Sequence, residues 1–146
     1  MEKPSLFFFD DKRKAPSSDW DVARTVEEAK DMLKYHNYGI ISLDHDIGYE
    51  MACPKCLEEE GLKTGSIIVP ITLEMLERGC SHFEDGTDLA NWMVANLVEW
   101  PALIIIHSGN AVARERMKSI LEKKAPATTT IHVEFYSLAL YSRIRY

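Results

Sequence analysis

Leu6-Phe7-Phe8-Phe9-Asp10-Asp11 and Tyr38-Gly39-Ile40-Ile41-Ser42-Leu43-Asp44-His45-Asp46 share one pattern, a short apolar run closed by acids. Short apolar runs bounded by polar residues read as buried strands. Carboxylates at the ends of two such strands meet at one rim of a parallel sheet. That rim is where open α/β sheets bind ligands. Acids crowded there repel one another, and a divalent cation or raised pKa values offset the repulsion.

The stretches around these two runs alternate between helix and strand signals. Lys12 to Asp21 is polar, with Pro16, Ser17 and Ser18, and reads as a loop that Trp20 anchors to the core. Val22-Ala23-Arg24 reads as a short second strand. Thr25 is a good N-cap with Glu28 at the capping-box position. The helix it starts runs to about Tyr35, with Val26, Ala29, Met32 and Leu33 at helical spacing, and Asn37 and Gly39 end it. Ile40–Leu43 is the third strand. Thr87 or Asp88 caps a helix from about Leu89 to Val98. Ala102–Ile106 is the most strand-like run of the chain, and a helix from Ala111 to Lys124 follows, stopped near Pro126. Thr128–Phe135 alternates and is β-branched, so it reads as the last strand. Ser137–Tyr146 carries no clear signal. Strands alternating with helices predict an α/β fold, a mostly parallel five-stranded sheet with helices on both faces.

A length of 146 residues fits one domain, 1–146, with one small insertion. The net charge of −6 argues against general double-stranded nucleic-acid binding. Arg114, Arg116, Lys118, Lys123 and Lys124 cluster on the helix from Ala111 to Lys124 as a solvated face, with phosphate binding as the alternative. No signal peptide or membrane span is visible, so a cytoplasmic protein without membrane partners is expected.

Residues 49–85 break the rhythm and read as an insertion. They are acidic and hold all three cysteines of the chain. Cys53 and Cys56 have knuckle spacing, and Cys80 and His82 complete a Cys₃His set for a structural Zn²⁺. Free thiols, with His82 belonging to the rim, are the alternative. A redox role fits less well, because the pair does not open a helix after a strand. The negative flanks argue against a nucleic-acid finger.

The order of motifs resembles a response-regulator receiver domain. Asp10-Asp11 matches the acidic pair after strand one, Asp44 the acceptor after strand three, and Ser108 the hydroxyl after strand four. Three features depart from receivers. A loop stands where the first helix should be, an insertion follows Asp46, and Tyr136 and Ser137 stand where a Lys should follow strand five. These departures resemble the cyclic-phosphate-processing receiver-like (cREC) family. The matching stretches are Phe-Asp-Asp-Lys-Arg at 9–13, Leu-Asp-His-Asp-Ile-Gly at 43–48, Asp-Gly-Thr-Asp-Leu-Ala-Asn-Trp-Met at 85–93, and Ile-His-Ser-Gly-Asn at 106–110, with Met117 downstream. The resemblance implies a receiver-like, flavodoxin-like fold acting on cyclic phosphates.

The rim residues suit that chemistry. Asp10, Asp11 and Asp44 form an oxygen-rich site for Mg²⁺ or Mn²⁺, which polarises a phosphoryl oxygen and lowers the pKa of bound water. His45 and His107 titrate near neutrality and are candidates for general acid and base. Asp46 is a further ligand or orients His45. Arg13, Ser108 and Asn110 are candidates to bind phosphate oxygens. Each has a plainer alternative: His45 bonded to a neighbouring loop, His107 a satisfied structural histidine, Ser108 or Asn110 a helix cap, Arg13 a surface residue. On strict alternation Asp44 and Asp46 point one way and His45 the other. The expected function is a metal-dependent phosphoesterase for an RNA 2′,3′-cyclic phosphate end or a cyclic nucleotide. A phospho-accepting receiver, or a silent interaction module with no identifiable partner protein, is the alternative.

Overall fold

The computed structural model describes residues 5–45 and 85–142. Asp46, Cys53, Cys56, Cys80 and His82, and the insertion up to Glu84, lie outside the described residues. The elements are β1 (Leu6–Phe9), β2 (Trp20–Ala23), α1 (Val26–Tyr35), β3 (Ile40–Leu43), α2 (Gly86–Asn96), β4 (Leu103–Ile106), α3 (Ala111–Glu122), β5 (Thr130–Val133) and α4 (Leu138–Ser142). The sheet order is β2-β1-β3-β4-β5 and every pairing is parallel. The order reverses between β1 and β3, so the crevice at their C-terminal ends is the expected ligand site.

β1, β3 and β4 are apolar almost without interruption because both of their faces are buried. Phe7, Phe9, Ile41, Leu43, Ile104 and Ile106 pack under α1, α2 and α3. Leu6, Phe8, Ile40 and Ile105 face the other way, against Trp20, Leu140 and Tyr141. Each fully buried phenylalanine contributes on the order of 2 kcal/mol. The two faces are covered unequally. Three helices of ten to twelve residues cover one face. The other has the loop after β1, with Ala15 and Trp20 packed in, and the five residues of α4. No helix forms between β1 and β2, as the polar Pro-Ser-Ser stretch predicts.

Some boundaries differ from the sequence reading. β2 starts at Trp20, two residues early, because Trp20 pairs with Leu6 and sits in the core beside Phe8. β5 spans four residues rather than eight, since pairing with β4 ends at Val133. α2 is capped by Asp85, not by Thr87 or Asp88. The Asp85 side chain accepts from Thr87 N–H and Asp88 N–H, and the Asp88 side chain accepts from Asp85 N–H, a full capping box. Thr25 caps α1 as read, accepting from Glu28 N–H at 3.1 Å.

The start of α2 locks the end of β3 in place. Gly86 N–H donates to His45 O at 2.9 Å. A Cβ on Gly86 would lie 2.3 Å from the Asp44 carbonyl oxygen and 2.6 Å from His45 Cα. Both neighbours are backbone and cannot yield without moving β3 or α2. Gly86→Ala should therefore cost about 2–3 kcal/mol, seen as a lower urea midpoint at unchanged slope. An unaltered midpoint would show that the joint is loose.

Candidate functional site

The backbone ladder does not stop at the strand ends. Asp44 N–H donates to Phe9 O at 2.9 Å and His107 N–H to Leu43 O at 2.8 Å. Asp10, Asp44 and His107 therefore stay in register, side by side on β1, β3 and β4. Phe9, Leu43 and Ile106 point into the three-helix face, so the next residue on each strand turns to the opposite one. That face lacks the crossover helix, and the three side chains converge there. They offer one ligand atom each within 4.8 Å of one another, all from buried residues. Asp11 follows at the rim and lines a cavity of about 270 Å³ with Asp10, Lys12, Arg13, Asp44 and Gly109.

Asp10 is 0% exposed, and the loop after β1 is built around its carboxylate. Oδ1 accepts from Lys12 N–H and Arg13 N–H, both at 2.9 Å, while Oδ2 faces His107 Nε2 at 3.0 Å and Arg13 Nη1 at 3.1 Å. Burial pushes this carboxyl up. The hydrogen bonds from His107, Arg13 and Lys12 outweigh burial and hold it well below the usual carboxylate range. His107 is shifted down from its ordinary value because burial disfavours the imidazolium more than Asp10 favours it. The pair is thus a neutral imidazole beside an ionised carboxylate. Phe8 stacks flat on the His107 ring, with centroids 4.9 Å apart and planes 2° apart.

Arg13 places Nη1 3.6 Å from Asp44 Oδ2 as well, so one guanidinium spans both carboxylates. Burial lowers its pKa, but Asp10 and Asp44 raise it further. Its guanidinium carbon lies 5.3 Å from the Tyr136 ring centroid. Arg24 fastens the same loop, donating from Nη1 to Asp10 O and Arg13 O. Nothing local marks Arg24 in the sequence; it acts across the loop.

The remaining predicted residues divide by location. His45 turns away from Asp44, as alternation requires, and its Nε2 lies 3.4 Å from Asp85 Oδ2 at the cap of α2. The two histidines read as an acid–base pair therefore sit in different surroundings. Asn110 caps α3 by accepting from Ala113 N–H. Ser108 is buried, and its Oγ accepts from Asn110 N–H at 3.1 Å. Both residues shape the turn that brings Gly109 to the cavity. Asp10 and Asp44 are oxygen donors that fit a hard cation retaining several waters. His107 suits the supporting shell, because its Nε2 hydrogen bond holds Asp10 in place.

A family model described as the cyclic-phosphate processing receiver domain matches residues 5–123. The chain belongs to this family. No curated protein and no solved structure matches it. In this cyclic-phosphate processing receiver domain, Tyr136 and the later residues lie beyond the matched span. No helix among the described residues is long and apolar enough to cross a membrane.

The two buried shifts predict acid sensitivity in steps. His107 is depressed in the folded state. As pH falls below about 6.5, the unfolded chain takes up a proton that the folded chain refuses, so stability is lost. Asp10 is depressed as well. Its contribution is intact above about pH 4 and fades as pH falls from there through its folded value. His107→Gln keeps a donor for Asp10 and removes the first step. Urea unfolding with chelator at pH 7 and pH 5 should show a smaller loss in the variant than in the parent. Equal losses would place His107 outside the acid response.

Proposed function

We propose that this domain is a metal-assisted phosphoesterase that opens a cyclic phosphate, either on an RNA 2′,3′-cyclic end or in a cyclic nucleotide. The observation that carries this reading is the convergence of Asp10, Asp44 and His107 at the rim of a domain of this family. Asp10 and Asp44, with Asp11 at the cavity edge, are the residues to hold Mg²⁺ or Mn²⁺. When bound, the ion supplies charge for a phosphoryl oxygen and acidifies a water. Arg13 presents a guanidinium at the same cavity and is assigned to the phosphate oxygens. His107 has both ring nitrogens engaged, so its role is to hold Asp10. His45 points away from this cavity to Asp85, so its role is at the joint between β3 and α2. Ser108 and Asn110 support the turn beside the cavity.

The test is a panel of 2′,3′-cyclic and 3′,5′-cyclic mononucleotides, cyclic oligonucleotides and an RNA ending in a cyclic phosphate, each with Mg²⁺ or Mn²⁺. Opening of one member should be lost with chelator and fall about 100-fold in Asp10→Asn and Asp44→Asn. No turnover, together with an added phosphoryl mass on Asp44 from a small phosphodonor, would favour the signalling reading instead.

The cysteines support a second metal. Cys53, Cys56, Cys80 and His82 form a structural zinc set by ligand type and spacing. Metal analysis of protein purified without chelator should return zinc near one equivalent per chain, reduced in Cys56→Ser. Zinc-free parent protein that folds normally would dismiss this site.

A further inference from the structure

For a neutral His107 ring, which full burial against Phe8 favours, the hydrogen bonds around it admit one consistent set of donors. Asp10 accepts from the two backbone N–H groups and from the Arg13 guanidinium, so it is ionised and has no proton to give. His107 Nε2, 3.0 Å from Oδ2, must therefore carry the ring proton. A neutral imidazole then presents Nδ1 as an acceptor. Ser42 Oγ lies 2.8 Å from Nδ1 and donates its single hydrogen there. Tyr141 Oη lies 2.8 Å from the same Ser42 oxygen, which has no hydrogen left and accepts from the phenol. The chain runs one way, from Tyr141 to Ser42 to His107 to Asp10.

We infer that Ser42 and Tyr141 are positioning residues of the site: Asp10 sets the Nε2–H tautomer of His107, and the two hydroxyls hold the ring from its Nδ1 side so that this N–H stays on the carboxylate. The other tautomer would aim an Nε2 lone pair at a carboxylate oxygen, and Asp10 would lose its side-chain anchor on β4. Ser42 is the polar residue in the middle of β3, in a position where Ile40 and Leu43 are apolar. Tyr141 reaches it from α4, beyond the residues 5–123 that the family model matches. The sheet face that lacks a crossover helix thus carries a working layer. Tyr141 packs edge-on against Phe8 and Trp20, and Tyr136 packs edge-on against His107. Tyr136 also lies against Arg13 and donates from its hydroxyl to Lys14 O at 2.9 Å. The inference rests on reading Asp10 as the carboxylate that serves the cavity.

The decisive measurement is the ¹⁵N spectrum of the His107 ring in the full, substrate-free chain, assigned by its disappearance in His107→Gln. The parent should carry the ring proton on Nε2 alone. Ser42→Ala should leave the proton on Nε2 and shift the Nδ1 resonance as that nitrogen loses its partner, and Tyr141→Phe, which keeps every ring contact, should shift it less in the same direction. For a cyclic phosphate that the parent opens, kcat should fall about 10-fold in Ser42→Ala with KM little changed. Unchanged ring nitrogens in both folded variants, or a parent ring protonated on Nδ1, would overturn the inference. Tyr141→Phe alone decides the matter if Ser42→Ala does not fold. The spectrum needs no turnover, so a parent that opens no cyclic phosphate would count against the proposed activity and leave the tautomer result standing.

Discussion

A carboxylate buried to 0% exposure governs this structure. Asp10 leaves water at the end of β1, and an ion there costs several kcal/mol unless donors replace the solvent. The chain supplies them from two sides, the loop after β1 and the end of β4. Residues 10–13 fold back so that two backbone N–H groups reach Oδ1. Arg24, from just after β2, ties the carbonyls of that turn. His107 reaches across from β4, braced by Phe8, Ser42 and Tyr141. The loop that replaces the expected crossover helix is thus a shell of donors around one anion.

Much of the scaffold can be read from local pattern. The runs at 6–9, 40–43 and 102–106 are too short and too apolar for anything but buried strands. Asp10 and Asp44 are legible as candidate site residues because each ends such a run, and the structure brings them together. Alternation also told Asp44 from His45, and the structure keeps them on opposite sides of the turn. What could not be read depends on contacts between distant residues. Trp20 joins β2 because of what lies beside it in the sheet. Asp85 caps α2 through a reciprocal bond with Asp88, in a stretch that reads as the end of the insertion. Arg24, Ser42, Tyr136 and Tyr141 belong to no local period, and their partners lie 11 to 122 residues away.

The two faces of the sheet divide the labour. Three helices seal one face with aliphatic and aromatic side chains, and that face sets stability. The other is a thin layer of aromatic rings and hydroxyls behind the carboxylates. Family membership speaks to the first face and to the rim, since the match stops at residue 123. The tyrosines that finish the site from behind come later in the chain. Fold and family therefore define the frame and the carboxylate rim, while the tyrosines behind that rim lie outside the matched residues.

The joint at Gly86 says something about the chain's architecture as a whole. His45 and Gly86 are held together by a backbone hydrogen bond, so everything between them departs and returns through a single doorway. Doubling the length of such a closed segment adds only about 0.6 kcal/mol of closure entropy. The sheet therefore places almost no demand on how long that segment is or what it contains. The doorway opens beside Asp44, one residue from the carboxylate cluster. It is a socket at the edge of the carboxylate rim, where the length of the connecting chain can change at little cost to the sheet.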